Sequence, residues 1–444
     1  MNPDELRKRH AAALPEWIAL YYERPMELVR GEGFRVWDSE GNEYLDFFGG
    51  IVTTISGHAV PEIAEAVQEQ AAKIFHSSTL YLIENQVKLA EKLISLSPIS
   101  GDQKVFFVGS GSEANEAALL FATQYRNSSE IVALRGSYHG GSFGTMGTTG
   151  QSSWRPTPRS ALDVSYAMTP HRSYSPLYGP FEGDPEGFAR ACAEDVRRVI
   201  ETTTTGRVAA FIAEPIQGVG GFIEIPPGYF ERVKEILDEY DVLLISDEVQ
   251  TAFGRTGSHF WGIEASGVEP DLITMAKGLT SAYVQLGALG MRRKYAEHFN
   301  DNVFYGGLTY NSHPLACATA LATIDVYEEE NLIERAAEMG EVMKRHHDEL
   351  AAKHPSIGAV RSIGMFGIVE LVRNRETMEP MAPFNGTSDE MAALGKRFRE
   401  EGLYTFVRWN TFFTNPPLTI SEEEMAEGFE IIDRALEITD AAVV

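Results

Sequence analysis

The sequence predicts an α/β protein: a mostly parallel sheet covered by helices on both faces, with a smaller α+β unit drawn from both ends of the chain. Three observations predict it. Between about residues 60 and 325, short continuous apolar runs alternate with segments of helical period, as strands buried on both faces require. A hairpin-like alternation precedes that region, and from about residue 326 the chain is helical and charged, then β-like, then helical again. The boundaries predict units at 1–60, 61–325 and 326–444, with the first and third joined in the smaller unit.

Taken in order, FRVWDSEGNEYLDF (Phe34 to Phe47) reads as two short strands around a Ser-Glu-Gly-Asn turn. GGIVTTISGH follows, glycine-rich yet apolar, and reads as a loop that something packs against. PEIAEAVQEQAAKIF and ENQVKLAEKLISL carry the helical period before the strand VFFVG. SEANEAALLFATQYR is the next helix and IVALRG the next strand. Residues 150–190, rich in Ser, Pro, Tyr and Arg, are expected to lie over the surface or at an interface. Further strands are VAAFIAEP, VLLISDE and DLITMAKG. Only about eight residues separate Lys277 from LGALGM, too few for a crossover, so that strand should return antiparallel at a sheet edge or as a hairpin.

Composition excludes several function classes. The chain has 38 basic and 64 acidic residues, a net charge of −26, which disfavours nucleic acid and anionic membrane as partners. No apolar run approaches the roughly 20 residues of a membrane span, and MNPDELRKRHAAALPEW lacks a secretory apolar core. Cys192 and Cys317 are the only cysteines, so neither a disulfide framework nor a cysteine-rich metal site is expected. A soluble cytoplasmic enzyme without a metal is the expectation; adaptation to salt is a second explanation of the acidity.

In open α/β sheets, ligands sit outside the carboxyl ends of the strands. There the sequence places Ser110-Gly111-Ser112 opening a helix, then Tyr138-His139, Glu214, Asp247 with Gln250, and Lys277. The Ser-Gly-Ser turn suits a phosphate, although a helix cap is the commoner use of a serine such as Ser112 when the turn is taken alone. Neither GxGxxG nor GxxxxGK[ST] occurs there. Asp247 alone reads as a loop cap and Lys277 alone as a solvated lysine; ending neighbouring core strands together, they read as a carboxylate and a nucleophilic amine. Pyridoxal phosphate supplies partners for all of them: phosphate for the turn, an aldehyde for Lys277, a ring nitrogen for Asp247 and a ring face for Tyr138.

These residues lie in stretches (WDSEGNEYLDFFGGI, GSGSEANEAA, YHGG, AEPIQGVGG, SDEVQTAFGRTG, MAKGLTS, GGLTYNSHPLACA, NPPLTI) through which the chain resembles the class III, or ω-amino acid, pyridoxal-phosphate aminotransferases of fold type I. The resemblance spans roughly residues 30 to 425 and implies a seven-stranded large-domain sheet. It implies Lys277 as the Schiff-base lysine and Asp247 as partner of the pyridine nitrogen. It also implies cofactor contacts from Ser110, Gly111, Ser112, Tyr138, His139, Gln250 and an orienting Glu214. Thr309 would reach the phosphate of a neighbouring subunit, which implies a homodimer or tetramer with active sites at the interface.

Gly109 and Gly306 stand where the family usually has Asn and His. Val219 stands where members that use 2-oxoglutarate or γ-aminobutyrate often carry Glu, so the chain looks more like the alanine–glyoxylate and taurine– or β-alanine–pyruvate branch. Arg408 is the candidate for a substrate carboxylate, with a surface arginine as the other reading. Phe48, Thr53, Thr54, Trp154 and a partner chain's Tyr305 are expected around the substrate. The expected reaction is ping-pong transfer of an amino group from an amino acid, ω-amino acid or amine to a small keto acid. An aminomutase or a decarboxylating aminotransferase on the same fold is the alternative.

Overall fold

The computed structural model describes residues 3–15, 26–156 and 160–444. Residues 1–2 and 16–17 of the segment read for a secretory signal, and 157–159 of the Ser/Pro-rich stretch, lie outside the described residues.

Strand β1 (Leu28–Glu32) pairs antiparallel with β2 (Arg35–Asp38), and β2 with β3 (Glu43–Asp46). The expected hairpin is present, with an added strand that its alternation did not reveal. Asp38 holds the turn: its carboxylate accepts from the Glu40 and Asn42 N–H groups at 3.0 and 2.9 Å and from the Tyr44 hydroxyl at 2.9 Å.

The main sheet consists of β4 (Gln103–Val108), β5 (Glu130–Leu134), β6 (Asp163–Ala167), β7 (Ala210–Ala213), β8 (Leu243–Asp247), β9 (Leu272–Met275) and β10 (Gly287–Arg292). Its order is β4-β10-β9-β8-β7-β5-β6. Only β10 runs antiparallel to its neighbours β9 and β4. The antiparallel return is therefore as expected, as the hairpin with β9 and not as an edge strand. Strand β4 covers the second side of β10, so both rows of its backbone groups are paired, and glycine and alanine let it sit fully buried between neighbours. The Ser/Pro-rich stretch is also more than a covering: it contributes β6, parallel to β5 at the opposite edge.

Strand periodicity sets where the end residues point. In β8, Leu243 and Ile245 pack in one cluster with Ala114, Ala118 and Phe121 of the helix Gly111–Arg126. Leu244 packs on the other face with Val196 of the helix Pro185–Thr203 and Val233 of Tyr229–Glu239. Asp247 shares parity with Leu243 and Ile245 and so faces the helix Gly111–Arg126.

The later strands are β11 (Ile357–Ile363), β12 (Phe366–Asn374), β13 (Leu403–Tyr404), β14 (Val407–Arg408) and β15 (Thr411–Thr414). Strands β11-β12-β15-β14 form an antiparallel sheet, while β13 pairs parallel with β3, bringing the two ends of the chain together. No helix among the described residues is long and apolar enough to cross a membrane.

Candidate active site

Because β4, β5, β7, β8 and β9 are mutually parallel, their carboxyl ends open on one edge of the sheet. There Ser110, Gly111, Ser112, Tyr138, His139, Glu214, Asp247, Gln250 and Lys277 line a single cavity of about 370 Å³. All were singled out from sequence.

Lys277 follows β9 with φ +41°, a left-handed conformation rare for any residue with a side chain. Burial lowers its amine from the ordinary 10.5 to about 8, against the opposing pull of Asp247 and Glu214. Glu214 accepts the N–H groups of Tyr138 and Gly218, each at 2.9 Å, and burial raises its carboxyl to about 7. The neighbouring Glu248 has a different task. It accepts from Gly262 N and Ile263 N at 2.9 and 2.8 Å and from the Thr251 hydroxyl, anchoring the loop that carries Gln250.

Asp247 is 3% exposed, and its Oδ2 accepts from Asn115 Nδ2 at 2.7 Å and His139 Nδ1 at 2.8 Å. The Thr274 hydroxyl donates to Asn115 Oδ1 at 2.6 Å, which fixes the amide with its donor toward the carboxylate. Asn115 was not found from sequence. Its one signal is an amide among the alanines on the buried face of a helix (Ala114, Ala117, Ala118).

The turn before the helix Gly111–Arg126 has the backbone geometry that suits an anion. Its first intrahelical bond from the following turn is Ala114 N to Ser110 O, so the Gly111 and Ser112 N–H groups precede the ladder and open on the cavity edge. The cap is Ser110, whose hydroxyl accepts from Glu113 N, and not Ser112, whose hydroxyl accepts from Gly141 N at 3.1 Å. Gly111 is required there: a Cβ would lie 2.9 Å from Val249 Cγ1.

A second cavity of about 700 Å³ shares Tyr138, Gln250 and Lys277 with the first. Phe48, Trp154 and Arg408 line it, as expected for substrate residues, and Val219 does too. Arg361, missed from sequence, also borders it; two of its N–H groups donate to Glu370 Oε2 at 3.0 Å and its Nε to Gly221 O at 2.6 Å.

Two expected residues are not brought together with the rest. Thr54 is buried outside both cavities, whereas Thr53 lines the first. The turn through Gly49–Val52, in which Thr53 N and Thr54 N both bond to Gly49 O, presents the earlier residue. Thr309 lies exposed on the loop before the helix Pro314–Glu329, away from its own chain's cavity.

Two buried polar atoms lining the first cavity, His139 Nε2 and Gln250 Oε1, have no partner. With the cradle, the Tyr138 ring, the Asp247 carboxylate and the Lys277 amine, they fit pyridoxal phosphate, a flat cofactor with an anionic end and polar edge atoms.

A family model described as aminotransferase class-III matches residues 20–436. The chain is 36% identical to the mitochondrial alanine–glyoxylate aminotransferase 2 homolog 2 of Arabidopsis thaliana, over 97% of this chain and 87% of that one. It is 34% identical to the 4-aminobutyrate aminotransferase GabT of Escherichia coli, over 98% of each. A solved taurine:2-oxoglutarate aminotransferase from Bifidobacterium kashiwanohense, in complex with pyridoxal phosphate and glutamate, superposes with a TM-score of 0.92 at 29% identity, covering 100% of this chain and 99% of that one.

Proposed function

The chain belongs to the class III aminotransferases, fold type I enzymes that work with pyridoxal phosphate, and from that premise we propose a ping-pong transaminase that passes an amino group to pyruvate or glyoxylate. The observation that carries the reading is Lys277, a half-buried lysine at the junction of an anion cradle and a larger, mostly apolar cavity.

In this reading the Gly111 and Ser112 N–H groups and the Ser112 hydroxyl bind the cofactor's phosphate, and Tyr138 covers the ring. The cofactor supplies an electron-withdrawing ring and holds the amino group between the two half-reactions. Lys277 Nζ moves the proton at the substrate carbon, a task suited to an amine held near 8. Asp247, oriented by Asn115 and His139, sets a negative charge toward the ring nitrogen. Glu214 holds the Tyr138 and Gly218 backbones in place.

Arg408 is assigned to the substrate carboxylate. Arg361, the other arginine among the described lining residues of that cavity, is engaged by Glu370, and Val219 adds no charge. A second carboxylate, as in 2-oxoglutarate, therefore has a poor seat. A panel of β-alanine, taurine, γ-aminobutyrate, ornithine and aromatic amines against pyruvate, glyoxylate and 2-oxoglutarate tests this. Pyruvate or glyoxylate is expected to exceed 2-oxoglutarate by about tenfold in kcat/KM, about 1.4 kcal/mol; a preference for 2-oxoglutarate overturns the assignment. The named relatives are aminotransferases, which favours this reading over an aminomutase or a decarboxylating enzyme.

A second copy of the chain completes the site. Tyr305 is 88% exposed on the Thr309 loop beside exposed Leu308 and Tyr310, and His76 and Phe75 touch Tyr310 and His313 to extend an apolar patch toward exposed Leu80 and Leu82. That patch buried in a homodimer would carry Thr309 to the partner's phosphate cradle and Tyr305 to its substrate cavity. Thr309→Ala is expected to weaken pyridoxal phosphate binding about tenfold while the dimer persists by light scattering; a monomeric, fully active wild type would refute it. The two cysteines are buried and unbridged, which suits the cytoplasm as the compartment.

A further inference from the structure

The loop after β8 runs from the two cavities to the antiparallel sheet. Gln250 lines both cavities at its start, and residues 251–257 are all buried. Phe253 takes φ +64° in its middle, a costly conformation for a large side chain. The far end comes close to the turn between β11 and β12. A Cβ on Gly364 in that turn would lie 2.3 Å from the carbonyl carbon of Thr256, so the approach needs a glycine there.

Arg255 fastens this junction. Its carbonyl accepts from Met365 N at 3.1 Å, while its Nη1 donates to Met365 O at 3.2 Å and to Pro416 O at 2.6 Å. Met365 directly precedes β12, and Pro416 follows β15 through Asn415, so one guanidinium grips two paired strands. The side chain is fully buried, and burial lowers it only to about 10, which leaves it charged at neutral pH. Its bonds are to carbonyls, and Asp46 attracts it from beyond ion-pair reach. A buried charge with no opposite charge in contact costs stability, which points past stability to the spacing it holds. The 700 Å³ cavity lies across that spacing, with Tyr138, Gln250 and Lys277 on one side and Ile368, Glu370 and Phe413 on the other. Ile368 and Glu370 belong to β12 and Phe413 to β15, the strands that Arg255 grips.

We propose that Arg255 is a positioning residue that sets the width of the substrate cavity, holding β12 and β15 at a fixed distance from the loop that carries Gln250. That the cavity receives the substrate rests on the transaminase reading above; the clamp itself rests on the three bonds of Arg255 and the close approach at Gly364. A relaxed spacing weakens the hold on the substrate in the ground state and the transition state alike, so the loss belongs in KM and not in kcat.

Three variants test it as holoenzymes: Arg255→Met, Arg255→Lys and, as a matched control, Arg335→Met. Arg335 donates to the carbonyls of Leu418, Thr419 and Ile420 at 3.0, 3.2 and 2.7 Å, just beyond Pro416. It does so from the helix Leu332–Lys353, which packs on the antiparallel sheet itself, and so fastens that segment without reaching the Gln250 loop. The first readout needs no turnover: hydrogen exchange over residues 364–368 is expected to speed about tenfold in Arg255→Met, about threefold in Arg255→Lys and not at all in Arg335→Met. In urea, Arg255→Met is expected to stay near wild type, because removing a buried charge and unpairing two carbonyls act in opposite senses, whereas Arg335→Met only loses bonds and falls. With β-alanine as donor, KM for pyruvate is expected to rise about tenfold in Arg255→Met with kcat within about threefold, and to return most of the way in Arg255→Lys. Unchanged exchange and KM in Arg255→Met, or a KM rise shared equally by Arg335→Met, overturns the proposal. Should Arg255→Met not fold, Arg255→Lys decides: a raised KM at wild-type stability supports the clamp and an unchanged KM overturns it. Faster exchange in a protein that transfers no amino group removes the transaminase reading and leaves the clamp.

Discussion

Lys277→Met is expected to take up pyridoxal phosphate and yet lose at least about 10,000-fold in kcat. The cradle at Gly111–Ser112, the Tyr138 ring and Asp247 are all untouched by the change, so the cofactor keeps its seat. What disappears is the one amine lining the cavity among its described residues, and with it both the attachment point and the group that moves the proton. Borohydride followed by mass analysis reads the first loss, since cofactor fixed at position 277 of the wild type should be absent from the variant. Turnover above about 1% of wild type would mean that another base does the work.

The same substitution should act on stability in the opposite sense. Folded, the amine titrates near 8; unfolded, near 10.5. Between these values the unfolded chain binds the extra proton, so stability contributed by this site rises with pH across that window, and the full penalty stands below pH 8. The difference between 10.5 and about 8 corresponds to roughly 3 kcal/mol. Cofactor-free Lys277→Met is therefore expected to be more stable than cofactor-free wild type in urea at pH 7, with the gap closing toward pH 10.5. A gap that does not change with pH would mean that the amine is not desolvated.

The strand-end chemistry was legible because the strands are buried on both faces. Continuous runs such as VLLIS and LITMA announce themselves, and a charged residue directly after one has little choice but to stand at the sheet edge. Strand order was less legible, since the insertion of β10 between β4 and β9 depends on pairing partners far apart in sequence. Asn115 stayed hidden because only the parity of β8 against the helix Gly111–Arg126 brings it to Asp247. Thr53 and Thr54 were inseparable by pattern: the choice is made by positive φ at Ile51 and Val52, β-branched residues that ordinarily avoid it. The family resemblance pointed to Arg408, but neither it nor local composition could show Trp409 in a glycine-type turn or Glu370 holding Arg361 across the sheet.

Asp247→Asn is expected to cost about 100- to 1,000-fold in kcat with little change in fold. The amide matches the carboxylate in shape but carries no charge, and it meets three donors spread over two oxygen positions, only one of which it can fill with an acceptor. Asn115 Nδ2 and His139 Nδ1 both point at Oδ2, and Val249 N is 3.1 Å from Oδ1. Whichever way the amide turns, an NH₂ group faces donors, so the variant loses both the negative charge toward the ring nitrogen and the order of the network holding it. Asn115→Ala separates the two losses, because it keeps the charge and removes one of the supports; about tenfold is expected there, the scale of one hydrogen bond to a charged group. The cofactor's visible absorbance, titrated against pH in each holoenzyme, supplies a readout that a purely structural defect would leave alone. A titration displaced in Asp247→Asn and nearly unmoved in Asn115→Ala assigns the effect to charge. Equal displacement in both would instead make orientation the larger share, and an unchanged kcat in Asp247→Asn would detach this carboxylate from the ring nitrogen altogether.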